Sequence, residues 1–277
     1  MIKITIVSTK GGVGKTTLTA NIGGILADFG YRVLLIDADP QPTLSSYYPL
    51  NYRAEQGLKH FLINSAVDTV ISHTRIDNLD IILSDDPQGK LRDWIRDTVD
   101  GRVRLKYSLM PLEAHYDFVL IDTQGAVGPL QDAAVAAADF MLSPIPPEIL
   151  SAREFVRGTV AMIQRLEPMA RLGAPIGPLR GVIYRQDRTI DARNIADELR
   201  KAAFLPSKGA ITILHTVIPN AVAYREAATH KMPVHRFERS RKGKAMSALE
   251  TMQALAQELI PNLPDLDVAG LEQEARP

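Results

Sequence analysis

Short apolar runs recur along the chain and alternate with longer stretches whose apolar residues have helical spacing. Several of these runs are apolar on both faces, which is typical of strands in a parallel sheet covered by helices. The predicted strands are 2–8, 32–36, 79–83, 117–122, 139–144, 179–184 and 211–218. The alternation predicts the α/β class, with a doubly wound, mostly parallel sheet, helices on both faces and right-handed crossovers.

Helical spacing predicts helices between these strands, over 15–29, 89–99, 129–138, 148–171, 190–203 and 244–260. No Gly/Ser-rich linker divides the chain, so we expect a single domain over 1–260. Residues 261–277 are rich in Pro, Asp and Glu, which predicts a flexible, acidic C-terminal tail. Residues 43–115 carry no recognisable motif, and Trp94 within them is expected in the core.

The first predicted strand runs directly into Lys-Gly-Gly-Val-Gly-Lys-Thr-Thr at residues 10–17, and a helix is predicted to follow. A strand, a glycine-rich loop and a helix in this order are typical of a phosphate-binding loop. Backbone N–H groups of the loop and the helix N-terminus would bind the α- and β-phosphates. Lys15 would reach the β- and γ-phosphate oxygens, the Thr16 hydroxyl would bind Mg²⁺, and Thr17 would contact the α-phosphate. The motif therefore predicts ATP or ADP and Mg²⁺ as cofactors, and its nucleotide-binding candidates are Lys10, Gly11, Gly12, Val13, Gly14, Lys15, Thr16 and Thr17.

The loop departs from the strict phosphate-loop pattern at two neighbouring positions. Thr9 stands where the strict pattern has a glycine, and Lys10 adds a second lysine beside the glycine pair. The segment resembles the deviant Walker A box of the ParA/MinD ATPases, and in particular that of small ParA proteins. The resemblance implies that Lys10 reaches the partner's phosphates in a nucleotide-sandwiched homodimer, and that Lys10 and Lys15 are catalytic. The alternative is a solvated lysine at the edge of a glycine-rich turn.

Carboxylates follow the second predicted strand, in the run Asp37-Ala38-Asp39-Pro40-Gln41. Ligands of open α/β sheets bind beyond the carboxyl ends of the strands, so these acids are expected at the phosphate site. The run is similar to the second motif of the same family. The resemblance implies that Asp39 is catalytic, by positioning the attacking water, while Asp37 has a structural role. The alternative for Asp39 is an N-cap of a helix that begins after Pro40.

A third acid, Asp122, ends the apolar strand predicted at 117–122, which is the Walker B arrangement that holds Mg²⁺ through water. Thr16, Asp39 and Asp122 are therefore the candidate metal ligands. Most relatives continue with two prolines, whereas this chain continues with Thr-Gln-Gly. Because Asp-x-x-Gly also occurs in GTP-dependent switches, Gly125 is a candidate contact of the γ-phosphate.

A late segment, 217–234, is similar to the ParA segment that closes over the adenine. The resemblance implies that Pro219 and Asn220 flank the base. Relatives usually carry an arginine where this chain has Ala223, and the basic residue here is displaced to Arg225.

The composition excludes several kinds of chemistry but indicates no further site. The 277 residues contain 32 Lys+Arg and 32 Asp+Glu, so any affinity for nucleic acid must come from a local patch. The absence of cysteine excludes disulfides, thiolate catalysis and cysteine-ligated zinc or iron–sulfur centres. No run approaches the roughly 20 apolar residues that cross a bilayer, so we expect a cytoplasmic protein without a membrane partner.

Basic residues cluster late in the chain, where they would give DNA affinity independent of base sequence through phosphate contacts and counterion release. The candidate DNA-binding residues are Arg185, Arg188, Arg193, Arg225, Lys231, Arg236, Arg239, Arg241, Lys242 and Lys244. Acidic residues are interspersed among them, so an ordinary solvated charged face is the alternative.

The ParA resemblance implies a weak ATPase that acts in DNA partitioning and associates with the nucleoid. An ATP-bound homodimer would bind double-stranded DNA non-specifically, and a centromere-binding, ParB-like partner would stimulate hydrolysis and release. One alternative is a MinD-like positioning ATPase, but those end in a basic amphipathic helix, whereas this chain ends acidic and is interrupted by proline. The other is a metabolic ATP-dependent enzyme on the same fold, which would not need Lys10. Larger relatives begin with a helix-turn-helix domain, whereas this chain starts at the first sheet strand, so we expect no sequence-specific repression.

Overall fold

The computed structural model describes residues 1–187, 189–204 and 210–266, with side chains for all except 149–154, 156, 160, 172 and 202–204. Within these ranges nine strands form a single sheet. The strands are β1 (Ile2–Ile6), β2 (Val33–Ala38), β3 (Leu50–Tyr52), β4 (Ile71–Thr74), β5 (Leu79–Ile82), β6 (Phe118–Thr123), β7 (Phe140–Ile145), β8 (Leu179–Gln186) and β9 (Ile211–Pro219). Their order is β3-β4-β5-β2-β6-β1-β7-β8-β9, parallel from β5 to β9, with β3 and β4 antiparallel at one edge.

Helices cover both faces of the sheet. They are α1 (Lys15–Asp28), α2 (Leu58–Asn64), α3 (Lys90–Asp97), α4 (Gly101–Ser108), α5 (Pro129–Ala137), α6 (Ile149–Leu166), α7 (Ile190–Phe204), α8 (Ala223–Thr229), α9 (Val234–Phe237) and α10 (Ala248–Leu259). One apolar cluster joins the sheet to α1, α8, α9 and α10, and two others join it to α2–α5 and to α5–α7.

Strand β2 shows how the apolar runs build this arrangement. Val33 and Leu35 pack in the cluster that contains α1, whereas Leu34 and Ile36 pack in the cluster that contains α5, and all four are fully buried. Successive side chains of a strand point to opposite faces, so a strand between two helical layers must be apolar throughout. The prediction of a doubly wound parallel sheet is therefore confirmed.

The seven predicted strands are the seven parallel ones, and the two strands that were not predicted form the antiparallel edge. Strands β3 and β4 are short and carry exposed side chains such as Tyr52 and His73, so they lack a continuous apolar run. Helices α2, α4, α8 and α9 were also not predicted, because each spans only about two turns or fewer and shows little periodicity. Helix α10 begins later than predicted, at a capping box formed by Ser247 and Glu250.

The chain after residue 260 begins as packed structure, although a flexible tail was predicted from 261. Leu263 and Leu266 are 9% and 7% exposed and belong to the cluster that contains α10. The remainder of the predicted tail, 267–277, lies outside the described residues. None of the helices in the described ranges is long and apolar enough to cross a membrane.

Candidate nucleotide site

The carboxyl ends of three adjacent central strands meet at the candidate site. The register pairs Ile6 of β1 with Asp122 of β6, and Asp122 with Asp37 of β2. Because β1 leads into the glycine-rich loop, the loop and the two carboxylates are brought together at one edge of the sheet. This is the edge at which open α/β sheets bind their ligands.

The glycine-rich loop has the backbone shape of a phosphate cradle. Gly12 and Gly14 have φ angles of +72° and +100°, in the left-handed region that glycine adopts without strain. A Cβ atom added at Gly11 or Gly12 would meet no atom within 4 Å, so both residues border open space. A Cβ at Gly14 would instead lie 2.1 Å from Cε1 of Tyr184, which packs directly beneath the loop.

Lys15 is the first residue of α1 and points into this site with only 7% of its surface exposed. Burial lowers the pKa of Lys15, and the nearby carboxylates of Asp122 and Asp39 oppose that effect. An ammonium group that is partly desolvated between two carboxylates and a glycine loop is placed to bind an anion strongly.

Thr16 and Asp122 are hydrogen-bonded, with the Thr16 hydroxyl donating to a carboxylate oxygen of Asp122 at 2.6 Å. Asp122 is fully buried, and burial raises its pKa to about 7, although the hydrogen bond from Thr16 acts in the opposite direction. A buried carboxylate beside a hydroxyl is the donor set with which Mg²⁺ is held when phosphate and water supply the other ligands. The residues present therefore fit a magnesium nucleotide.

Asp37 organises the turn that follows β2. It accepts hydrogen bonds from the Ser45 backbone N–H and hydroxyl, both at 2.7 Å, and burial raises its pKa to about 6. Asp39 accepts a hydrogen bond from the Gln41 N–H at 2.9 Å and lines the cleft beside Lys15. The first helical turn after Pro40 starts only at Leu44, so Asp39 does not cap a helix.

A cleft of about 550 Å³ lies over the loop, within the size range of small-molecule sites. It is lined by Gly11, Gly12, Gly14, Lys15, Thr16, Thr17, Asp39, Gln41, Thr43, Gln124, Gly125, Ala126 and Arg185. A narrower cleft of about 110 Å³ shares Thr17 and Arg185 with it and extends towards Pro219, Asn220 and Tyr224. The two clefts are continuous and together could hold the phosphate chain and the base of a nucleotide. We call the larger one the phosphate cleft and the narrower one the base cleft.

The predicted base-flanking residues lie at the far end of this path. Asn220 donates a side-chain hydrogen bond to Asp187 at 2.9 Å and a backbone hydrogen bond to the Gln186 carbonyl at 3.0 Å. These bonds fix the segment that follows β9 against the end of β8. Two loop residues do not line the larger cleft: Val13 is buried at 4% exposure, and Lys10 is exposed.

Two of the predicted DNA-contacting arginines, Arg236 and Arg185, do not belong to the exposed basic face. Arg236 is paired with Asp28 inside the fold, with its Nε at 2.8 Å from a carboxylate oxygen that also accepts a hydrogen bond from His235 at 2.6 Å. Burial acts to raise the pKa of Asp28, but the hydrogen bonds from Arg236 and His235 hold it below its ordinary value. Arg236 therefore has a structural role, because its ion pair joins α9 to the end of α1, and its contact with DNA stays a prediction. Arg185 lines the nucleotide cleft instead.

The other predicted basic residues differ in exposure and pairing. Arg188 lies outside the described residues. Arg239 is partly exposed and donates a hydrogen bond to the Arg236 carbonyl at 3.2 Å. The exposed residues of the set are Arg193, Arg225, Lys231, Arg241, Lys242 and Lys244. Arg241 pairs with Glu250 at 2.8 Å and Lys242 with Glu238 at 3.5 Å, so part of this face is a solvated ion-pair network.

Tyr184 and Arg185 are site residues that the motifs did not indicate. Both stand at the carboxyl end of a parallel strand, which is the same position that identified Asp39 and Asp122. That rule, applied to β8, would have found them.

The fold and this site define a P-loop nucleotide-binding protein whose phosphate loop contains two lysines. Residues 1–170 match a family model described as an AAA domain. The chain is 30% identical to the sporulation initiation inhibitor protein Soj of Bacillus subtilis, over 87% of this chain and 92% of Soj. It is 32% identical to the maintenance of carboxysome distribution protein A of Synechococcus elongatus, over 79% of this chain and 85% of that protein.

Solved structures of McdA have a fold similar to that of this chain. Apo McdA of Cyanothece superposes with a TM-score of 0.71 at 25% identity, over 84% of this chain and 92% of McdA. Its D38A variant in complex with ATP has a TM-score of 0.76 at 23% identity, over 96% and 99% of the two chains, and shows the shared fold. The chain belongs to the ParA/MinD-type ATPases. It is an ATPase, and the residues of its site fit ATP or ADP with Mg²⁺.

Proposed function

We propose that this protein is a DNA-partitioning ATPase whose ATP-bound homodimer binds double-stranded DNA non-specifically. A centromere-binding, ParB-like partner stimulates hydrolysis and releases the dimer from DNA. The observation that carries the proposal is the continuity of α8: Tyr224 and Arg225 line the nucleotide cleft, and the exposed basic segment follows directly. A change at the nucleotide can therefore reach the basic surface through one short helix.

Within the site, Lys15 binds the β- and γ-phosphates, Thr16 and Asp122 hold Mg²⁺, and the loop N–H groups bind the remaining phosphate oxygens. The buried Lys15 and the 2.6 Å hydrogen bond between Thr16 and Asp122 support these roles. Bound Mg²⁺ supplies positive charge that offsets the charge of the phosphates. Asp39 lines the cleft close enough to Lys15 to influence its pKa, which supports a role in orienting the attacking water.

Lys10 and Gly125 complete the proposed site. Lys10 is exposed at the mouth of the loop, which supports the proposal that it reaches the nucleotide of a second copy of the chain. Gly125 approaches the loop so closely that an added Cβ would lie 2.5 Å from the Gly11 Cα. This closeness supports a Gly125 N–H contact with the γ-phosphate.

In the proposed mechanism, dimerisation promotes DNA binding because it doubles the basic surface. Exposed residues such as Arg225, Lys231 and Lys244 give one copy a weak, salt-dependent affinity for phosphate. Joining two copies makes the second contact intramolecular, so dimerisation raises the overall affinity without a new type of contact. ATP binding thereby controls DNA binding.

The decisive experiment measures retention on random-sequence double-stranded DNA with ATP, with ADP and without nucleotide. We expect ATP-dependent, salt-sensitive retention that is lost in Lys15→Ala and in Lys10→Ala.

Asp39→Ala should still dimerise and stay on DNA with ATP but hydrolyse ATP poorly. Combining Lys231→Ala with Lys244→Ala should weaken retention and lower the salt dependence, whereas Arg53→Ala, at an exposed arginine on the opposite edge of the sheet, should not.

Retention that is indifferent to nucleotide would contradict the proposal, as would a monomeric Asp39→Ala variant in ATP. Binding to anionic liposomes in place of DNA would favour a MinD-like positioning ATPase. ATP hydrolysis that depends on an added small-molecule acceptor would favour a metabolic enzyme on the same fold.

A further inference from the structure

Arg185 stands at an irregularity in the sheet. Strand β8 pairs in parallel with β9, and the register steps from Tyr184 opposite Ile218 to Gln186 opposite Pro219, which leaves Arg185 as an extra residue. Its φ angle is +58°, in the left-handed region that residues other than glycine and asparagine rarely adopt. Such bulges occur beside functional sites, where they change the direction of a side chain.

The bulge directs the Arg185 side chain across the nucleotide cleft. Its Nη1 lies 3.4 Å from the carbonyl oxygen of Gly12 in the phosphate loop, and its guanidinium lies 5.5 Å from the centre of the Tyr184 ring. Tyr184 is 2% exposed and packs against Gly14, so the surface on which Arg185 rests is fixed by the loop itself. The strand, the tyrosine and the loop together hold the guanidinium in place.

Arg185 lines both the phosphate cleft and the narrower base cleft, and Thr17 is the other residue that does so. Among the described residues that line the phosphate cleft, Lys15 and Arg185 carry positive charge. Lys15 is at the closed end, next to Asp122, whereas Arg185 is at the junction with the base cleft. Thr17, which the phosphate-loop motif assigns to the α-phosphate, also lines this junction, so the junction corresponds to the part of the nucleotide that ATP and ADP share.

A carbonyl oxygen at 3.4 Å is a weak partner for a guanidinium, and a phosphate oxygen is a much stronger one. The planar, permanently charged arginine fork suits a phosphate chain better than a lysine does. Backbone strain of the kind seen at Arg185 clusters at active sites and ligand sites.

We propose that Arg185 is a nucleotide-positioning residue that donates hydrogen bonds to the α- and β-phosphate oxygens, in place of its contact with the Gly12 carbonyl. The inference rests on the proposed nucleotide site around Lys15 and Thr17. It assigns Arg185 to the nucleotide and removes it from the DNA surface.

The test replaces Arg185 by asparagine, because asparagine tolerates the left-handed backbone and removes only the charge and reach. We expect Arg185→Asn to weaken the binding of both ATP and ADP by about tenfold and by the same factor, measured by calorimetric titration with Mg²⁺. Arg185→Lys should retain part of the affinity. Arg53→Asn removes an exposed arginine far from the cleft and should bind both nucleotides as the wild type does.

Lys15→Ala serves as the reference for the site. If Lys15→Ala loses nucleotide binding and Arg185→Asn does not, the inference about Arg185 is wrong and the nucleotide site stands. If neither variant changes binding, the proposed site itself fails. A loss confined to ATP would place Arg185 on the γ-phosphate and overturn the assignment.

Thermal unfolding without nucleotide separates a ligand role from a structural one. Arg185→Asn and Arg185→Gly should melt at or above the wild-type temperature, because both residues adopt the left-handed conformation with less strain. A clearly lower melting temperature for both variants would show that the Arg185 side chain supports the fold, and would contradict a role in nucleotide positioning.

Discussion

Gly125 shows how a single residue without a side chain shapes the nucleotide site. A Cβ at this position would lie 2.5 Å from the Gly11 Cα and 2.8 Å from the Gly11 nitrogen, so the segment after β6 touches the phosphate loop backbone to backbone. Backbone atoms cannot rotate away as a side chain can. Any larger residue at position 125 must therefore displace one of the two segments.

We expect Gly125→Ala to weaken ATP binding by about tenfold, because the added methyl group displaces the loop that binds the phosphates. Calorimetric titration with ATP and Mg²⁺ measures the effect. Gly128→Ala is the matched control, since its Cβ would approach only the flexible Gln124 amide, at 3.3 Å. Wild-type affinity in Gly125→Ala would mean that the two segments are already apart when nucleotide binds.

The positions of arginines in the sequence do not show which of them faces a ligand. Arg185, Arg236 and Arg241 are alike in the sequence, yet they lie in the nucleotide cleft, in a partly buried ion pair and in an exposed ion pair. Gly12 and Asp28 lie 173 and 208 positions from the arginines that they contact, whereas Glu250 lies nine positions from Arg241. Only the folded arrangement distinguishes a ligand-facing arginine from a structural one.

Helix α1 carries the phosphate loop at its N-terminus and has a glycine pair in its centre. Gly24 packs against the Pro233 ring, where an added Cβ would lie 2.8 Å from Cγ and 3.0 Å from Cβ. On the preceding turn of α1, the Asn21 side chain accepts a hydrogen bond from the Val234 N–H at 2.6 Å. The same helix therefore fixes the phosphate loop and the late segment that reaches the base cleft.

We expect Gly24→Ala to destabilise the protein by about 1–3 kcal/mol, because the ring of Pro233 cannot move aside without shifting α9. Helix propensity alone predicts the opposite sign, a gain of up to about 1 kcal/mol. Urea unfolding of the nucleotide-free protein measures the difference.

A double-mutant cycle tests whether the contact with the Pro233 ring causes the loss of stability in Gly24→Ala. In a Pro233→Ala background, the loss caused by Gly24→Ala should become smaller because the ring atoms are gone. An equal loss in both backgrounds would show that Pro233 is not the obstacle, and a gain in stability would show that propensity dominates.

At the scale of the whole molecule, buried carboxylates meet at the carboxyl edge of the sheet. Burial raises the pKa of Asp37 to about 6 and that of Asp122 to about 7, so both bind a proton at a higher pH than an ordinary carboxyl group does. A group with a raised pKa in the folded state stabilises the fold fully below its unfolded pKa, near 3.8, and loses that contribution as the pH rises through its folded pKa.

We therefore expect the stability of the wild type, relative to Asp122→Asn, to fall by about 2 kcal/mol between pH 5 and pH 8. Urea unfolding without nucleotide and with a chelator measures both proteins at each pH. Asp117→Asn is the control: the hydrogen bond from Arg32 lowers the pKa of Asp117, so its contribution is lost only as the pH falls below about 4. A constant difference between wild type and Asp122→Asn across this range would contradict the buried, raised pKa.

The sequence by itself determined the seven parallel strands, the phosphate loop and the positions of Asp39 and Asp122. These features depend on local pattern: a strand buried on both faces must be apolar throughout, and a phosphate cradle needs glycines between a strand and a helix. The antiparallel edge was not determined, because β3 and β4 are short and half exposed.

Only the tertiary structure decided which residues meet. The bulge that directs Arg185 arises from the register between β8 and β9, and the pairing of Arg236 with Asp28 joins residues 208 positions apart. Likewise, the Gly24 packing depends on where Pro233 crosses α1. The physical reason is common to all three: local propensities act along the chain, whereas register, close backbone approach and buried ion pairs arise between segments that meet only after folding.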